Sequence, residues 1–276
     1  MKPRQAPLVG KTKPSGLGHR EGVKRLSVEL KGRTVVVTGA SRGLGAAMAE
    51  FAAGHGMNLG LCARGPSALP ASETVVTGQL DVTDEAAVAK FAETVASRFG
   101  SIDLWINNAG VIRPIDPVRS LSIDEFRRHV EVNVIGVLIG CQTFIRHRAA
   151  HGGGGVLLNL STGAPPLEGW AAYCSGKAAV DRLTEVVAAE EGKTGLRAHA
   201  VAPGIIDTAM HEEIRACPPA RFPAVGDFIQ MKSEDSFSSA LFVARELFAL
   251  AFDPARAPET VCVAFPAESD AAGSSE

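Results

Sequence analysis

The feature that most limits what this chain can fold into is an alternation. Seven short runs rich in β-branched and other apolar residues, at 34–39 (TVVVTG), 58–63 (NLGLCA), 74–80 (TVVTGQL), 103–110 (DLWINNAG), 155–162 (GVLLNLST), 197–204 (RAHAVAPG) and 260–265 (TVCVAF), are separated by segments of helical periodicity. Strands of this kind are buried on both faces. The pattern therefore predicts an α/β fold: one domain holding a doubly wound parallel sheet, with helices on both faces and right-handed crossovers. One crossover is short. Residues 65–73 (GPSALPASE) are too few and too Pro-rich for a covering helix.

The alternating part spans 31–266. The first 25 residues hold seven Lys or Arg against one Glu and are broken by Pro and Gly, so residues 1–30 read as a disordered basic arm. Residues 267–276 read as a disordered tail. The arm lacks the apolar core of a secretory signal, and no run of eighteen apolar residues occurs, so neither export nor a membrane partner is expected. A formal net charge of −2 gives no electrostatic footprint for nucleic acid, which leaves a small molecule as the expected partner. The five cysteines are scattered, odd in number and without a C-x-x-C pair. They argue for a reducing cytoplasm and against a disulfide framework or zinc. His147 and His151 would share a helix face, but no acidic third ligand lies near them. They read as cations near a helix C-terminus, with no metal.

After the first run comes TGASRGLG, residues 38–45, opening a helix. Gly39, Gly43 and Gly45 permit positive φ and a close approach of backbone amides to a pyrophosphate, which the helix N-terminus stabilises. Placed between first strand and first helix, this turn makes the sheet a Rossmann-type dinucleotide site, although its spacing is not G-x-G-x-x-G. The second strand ends in Arg64, where a preference for NAD would want a carboxylate, and Arg42 in the turn adds a second cation. Two guanidiniums suit a 2′-phosphate, so NADP(H) is the expected cofactor. Asp81, in QLDVTD, either accepts from the adenine amino group or caps the helix beginning near Asp84.

The only tyrosine of 276 residues, Tyr173, stands four before Lys177 in GWAAYCSGKAAV. On a helix that spacing puts phenol and ammonium on one face. Alone, it equally fits an amphipathic helix whose tyrosine packs while its lysine reaches water.

Taken in order, TGASRGLG, LDVTD, NNAG (107–110), the Asn133 of EVNVIG, NLST, Tyr173-x-x-x-Lys177 and PGIIDT (203–208) resemble the short-chain dehydrogenase/reductase family over about residues 31–265. Within it, GWAAYCSGKAA and APGIIDTAMHEEIR look most like the sepiapterin and benzil reductases. The resemblance implies a carbonyl reductase in which NADP(H) is held by Gly39, Ser41, Arg42, Gly43, Leu44, Gly45, Arg64, Asp81, Val82, Asn108, Ala109, Gly110, Pro203, Ile206 and Thr208, together with Tyr173 and Lys177. It makes Tyr173 the proton donor. Lys177 and the oxidised nicotinamide would then draw the phenol pKa toward working pH, and Asn133 would keep a relay water. The family's carbonyl-polarising serine is replaced: Thr162 takes the fourth position of NLST, eleven before Tyr173 instead of thirteen. Thr162 is the expected polariser if the strand keeps register, and Ser161 if it does not. Residues 211–231 are expected to form a substrate lid whose Met210, Ile214, Phe222 and Phe228 either wall a pocket or simply pack. Val263 stands where sepiapterin reductases carry an aspartate, which argues against a pterin. Family members are homodimers or homotetramers, and the apolar 132–141 helix suits such a contact. The altered serine spacing leaves a second reading open, an NADP-binding sensor or scaffold with little or no catalysis.

Overall fold

The computed structural model of the protein describes residues 28–273. Its elements run β1 (Thr34–Thr38), α1 (Gly43–Gly54), β2 (Asn58–Ala63), β3 (Val75–Gln79), α2 (Glu85–Phe99), β4 (Leu104–Asn107), α3 (Ile123–Val130), α4 (Gly136–Ala150), β5 (Val156–Leu160), α5 (Ala171–Glu191), β6 (Arg197–Ala202), α6 (Ala209–Arg215), α7 (Val225–Ser233), α8 (Ala240–Phe252), β7 (Cys262–Ala264) and α9 (Glu268–Gly273). The seven strands form one sheet in the order β3-β2-β1-β4-β5-β6-β7, and every pairing is parallel. Chain direction across the sheet reverses between β1 and β4, so the crevice between their C-terminal ends is the natural ligand position of this topology. No helix separates β2 from β3, in keeping with the short Pro-rich crossover.

Period-two packing explains why the strand sequences are apolar throughout. Val35 and Val37 enter a core shared with α1 and α8, while Val36 between them enters the opposite core under α2, α4 and α5. Leu104 and Ile106 likewise face one layer and Trp105 the other. A slip of one residue would exchange these sets, so register is strongly specified.

Three sequence expectations need correction. The fold begins before residue 31, since Leu30 is only 3% exposed and lies in the first core, with Val28 packed against it; residues 1–27 of the arm expected at 1–30 fall outside the described residues. The stretch expected to be a tail from 267 starts instead as α9, where the Glu268 N–H donates to Ser238 Oγ and the Glu268 carboxylate accepts from the Ser239 N–H. A core segment far away in sequence supplies what the low-complexity stretch itself lacks. His147 is not a cation at a helix end: it is buried, and its Nε2 accepts the Ile102 N–H at 2.9 Å. Burial first, then the charges of His151 and Arg148, hold it down to about 4, so it is neutral near pH 7.

Candidate active site

The first layer of the site is the turn after β1. Gly39 has φ +69°, a left-handed conformation that favours glycine, and a Cβ there would meet Ala109 Cα at 2.8 Å. Gly45 lies so close to the Gly39 carbonyl that a Cβ would sit 2.2 Å from its oxygen. Asn108 ties this turn to the end of β4. Its Nδ2 donates to the carbonyls of Thr38 and Gly39 at 2.9 and 3.2 Å, while the backbone N–H groups of Asn108 and Ala109 both donate to Thr38 Oγ1. The turn is thus braced by the 107–110 segment before any ligand binds, and α1 begins directly behind it with Leu44 buried. Gly43 approaches Thr208, the residue preceding α6, whose hydroxyl makes no capping bond. Ile206 is buried beside them, fixed by a bridge to Ser238, with Pro203 at the mouth of β6.

At the adenosine end, Arg42 and Arg64 are both exposed, and neither makes an ion pair among the described residues. The Arg64 backbone is pinned by Gln79 Nε2 at 2.9 Å. Ser41 lies half-buried in the turn and Val82 is buried against Gly136. Asp81 does not cap α2. That role belongs to Asp84, which accepts from the Ala87 N–H, while Asp81 closes a turn on Thr83.

The reacting end is built on α5. Lys177 is buried, its Nζ 2.6 Å from the Leu160 carbonyl and 5.9 Å from the centre of the Tyr173 ring. Burial pushes its ammonium down to about 8, against a smaller opposing pull from Asp181. Burial also raises the Tyr173 phenol above its ordinary value, and the Thr162 hydroxyl lying against it works the other way. The phenol is therefore held protonated here. Ser161 points elsewhere: its buried Oγ reaches back 3.4 Å to the Lys177 carbonyl. Thr162 also accepts the Ala164 N–H, which fixes its side chain.

Asn133 sits in a π-helical turn, Glu131–Ile135, inserted between α3 and α4. Its amide is spent on protein groups: Oδ1 accepts the Val111 N–H at 2.8 Å and Nδ2 donates to the Val111 carbonyl at 2.7 Å, with the His129 ring against Nδ2 at 2.8 Å from Nε2 and 3.4 Å from Nδ1. Beneath the strand ends lies a buried chain that sequence reasoning missed. Trp105 Nε1 donates to Asn107, Asn107 to Asn159, and Asn159 to Thr184 on α5, each at 2.8 Å. Its partners are far apart in sequence, and the first Asn of NNAG and the Asn of NLST were the only hints.

Over Tyr173 closes an aromatic cluster. Trp170 stacks on Phe222 at 5.1 Å and meets Tyr173 edge-on at 5.3 Å, with Phe228 at 5.5 Å from both Trp170 and Phe222. Ile112, Ile115 and Ile214 complete it. The lid expected at 211–231 corresponds to α6, α7 and their connection, held down by Asp207 on Arg215 and Lys232 and by Arg221 on Asp116. Inside, the Trp170 indole N–H and His211 Nδ1 are buried with no partner among the described residues.

Comparison with known proteins agrees with this architecture. Residues 33–218 match the short chain dehydrogenase family. The chain is 38% identical over 205 residues to 3beta-hydroxysteroid dehydrogenase 1 of Eggerthella lenta, covering 70% of this chain and 78% of that protein. It is 31% identical over 224 residues to a benzil reductase of Bacillus subtilis, covering 78% and 91%. The crystal structure of levodione reductase superposes with a TM-score of 0.75 at 27% identity, covering 88% of this chain and 98% of that one. With that match across most of the sheet and its helices, the chain belongs to the short-chain dehydrogenase/reductase family of nicotinamide-dependent oxidoreductases.

Proposed function

We propose that the protein is an NADPH-dependent carbonyl reductase acting on a small apolar ketone or diketone. The observation that carries this reading is the Tyr173 phenol, held protonated by burial, with Thr162 on one side and the apolar cluster of Ile112, Ile115, Trp170 and Phe222 on the other. The glycine turn, the unpaired Arg42 and Arg64, and the approach of Gly43 to Thr208 fit an extended dinucleotide. When bound, the cofactor supplies the hydride. The chain supplies the rest: Tyr173 gives the proton to the carbonyl oxygen, Thr162 donates a hydrogen bond to that oxygen, and Lys177 keeps positive charge beneath them. Asp81, Val82, Asn108, Ala109, Gly110, Pro203 and Ile206 belong to the cofactor wall in this reading.

In this reading the cluster around Trp170 gives a carbonyl compound apolar walls, and the Trp170 N–H is buried there without a partner among the described residues. A diketone brings a second acceptor for it, which relieves a buried polar group worth roughly 1 to 3 kcal/mol when left unpaired. Two of the relatives are named for benzil and levodione. A pterin finds less: Val263, in β7, is partly buried against the first core and offers no carboxylate. The half-buried Val134 and Leu138, with Val186 on α5 at 45% exposure, form an apolar surface consistent with a homodimer or homotetramer. A cytoplasmic location accords with the unpaired cysteines, and no described helix is long and apolar enough to cross a membrane.

Cofactor choice gives a direct test. Arg64→Asp places a carboxylate where the 2′-phosphate would sit, so the ratio of NADPH to NADH affinity should fall by about tenfold or more, the scale of removing one charge-assisted hydrogen bond to the phosphate. Equal binding of NADH and NADPH by the wild type at moderate salt would remove Arg42 and Arg64 from the assignment.

A further inference from the structure

The end of the sheet away from Tyr173 gathers charge that the proposed chemistry leaves unused. Ladder register sets the first residues of four adjacent strands side by side there: Val35 lies opposite Leu104, Leu104 opposite Val156, and Val156 opposite Arg197. Arg33, just before β1, Asp103, just before β4, and Arg197, which opens β6, are thereby brought to one edge. A cavity of about 290 Å³ lies at this edge, and its lining also includes Arg148, from the last turn of α4, and Phe252, which ends α8. Three guanidiniums share it with one carboxylate.

Each guanidinium is held by a fixed contact, and none of those contacts is a carboxylate. Arg197 Nη2 donates to the Ala251 carbonyl at 2.5 Å. Arg148 Nε donates to the Gly153 and Gly154 carbonyls at 2.9 and 3.1 Å, and its Nη1 to the Ile102 carbonyl at 3.1 Å. The Arg33 guanidinium stands 4.8 Å from the centre of the Phe252 ring, with its Nε donating to the Glu29 carbonyl at 3.3 Å. None of the three makes an ion pair among the described residues. Asp103 is turned to the backbone, where its Oδ2 accepts the Thr34 N–H at 2.8 Å. A guanidinium carries five donors, so Arg33 and Arg197 keep most of theirs for a ligand. Burial holds the Arg197 pKa below its ordinary value, and no neighbouring anion works against that shift.

These four side chains leave a net charge of +2 in the cavity. We propose that it is an anion site, taking a small dianion, a phosphate group or a dicarboxylate, through charge-assisted hydrogen bonds from Arg33 and Arg197 with the Arg148 charge behind them. The volume lies at the small end of ligand pockets, which suits a compact ligand and not a dinucleotide. The chain's own first 25 residues hold seven Lys or Arg against one Glu, the wrong sign to fill it. Nor does the site overlap the candidate active site. Val156, in its lining, and Leu160, whose carbonyl receives Lys177, are opposite ends of β5, about 13 Å apart along a strand. The inference is therefore independent of the reductase reading.

The test is calorimetric titration of the full chain with sodium phosphate near pH ~8 at constant ionic strength. Saturable binding with a Kd of about 1 mM or tighter is expected. Arg197→Gln and Arg33→Gln should each weaken it about tenfold, the scale of one charge-assisted hydrogen bond. Arg33 is exposed, so its variant keeps the test open should Arg197→Gln fail to fold. Asp103→Asn should tighten binding about threefold or more, because it removes the one like charge and keeps an oxygen for the Thr34 N–H. Misfolding cannot mimic a gain. Succinate, also a dianion, is titrated in parallel, and the tighter binder tells whether a phosphate ester or a dicarboxylate is the class of ligand held. Affinity unchanged in both arginine variants would mean an adventitious ion only, whether at the Gly39 turn, at Arg64 or elsewhere, and would overturn the proposal. Unchanged or weaker binding by Asp103→Asn, or no saturable heat with either anion, would overturn it equally.

Discussion

Tyr173→Phe is expected to abolish turnover, by about 10³-fold or more, while NADPH affinity moves less than about twofold. The substitution removes one hydroxyl and leaves the ring beside Trp170 and His129, so little binding surface is lost. What disappears is the proton that must reach the carbonyl oxygen. Lys177→Ala should damage both steps, because the ammonium lies under the phenol and faces the cofactor wall at Gly110. Lys177 is pushed down to about 8 by burial, so its charge is present below that pH and lost as pH rises through it. Reduction should slow accordingly on the alkaline side. Substantial turnover by the Phe variant in steady-state assays would mean that another group delivers the proton.

Thr162→Ala should cost about a hundredfold in kcat, the usual consequence of deleting one donor to an oxygen that gains negative charge. Ser161→Ala should cost far less. The two neighbours point to different places: Thr162 lies against the phenol, whereas Ser161 donates to the Lys177 carbonyl inside the core. A serine would keep the hydroxyl of Thr162, so Thr162→Ser should remain close to wild type. Should Ser161→Ala prove the more damaging, the strand end must shift register when ligands bind.

Much of this was legible in the sequence because it is carried by local pattern. The alternation of Val35, Val36 and Val37 between two cores is the period of a strand buried on both faces, and it can be read without partners. Tyr173 and Lys177 share a helix face by spacing alone. Cap chemistry was harder: Asp81 and Asp84 both precede a helix, and only the accepted N–H of Ala87 shows which one caps it. Long-range satisfaction was invisible. Asn107 and Asn159 meet across 52 positions, and a π turn brings Asn133 onto Val111, whose N–H and carbonyl orient its amide. His147 misled for the same reason, since the Ile102 N–H that makes it neutral lies 45 residues earlier. Nor could spacing give the upward shift of the Tyr173 phenol, which comes first from burial.

The central claim is that this site moves a hydride from NADPH to an apolar carbonyl. Steady-state assays of the purified chain with NADPH and either benzil or sepiapterin, following cofactor oxidation and alcohol product together, test it most directly. The expected result is benzil reduction with one NADPH consumed per hydroxyketone formed, and a kcat/KM for sepiapterin well below that for benzil. A sepiapterin value equal to or above the benzil value would contradict the substrate assignment. Tight NADPH binding with no oxidation by any diketone or ketone would contradict the claim itself and leave a nucleotide-binding sensor or scaffold.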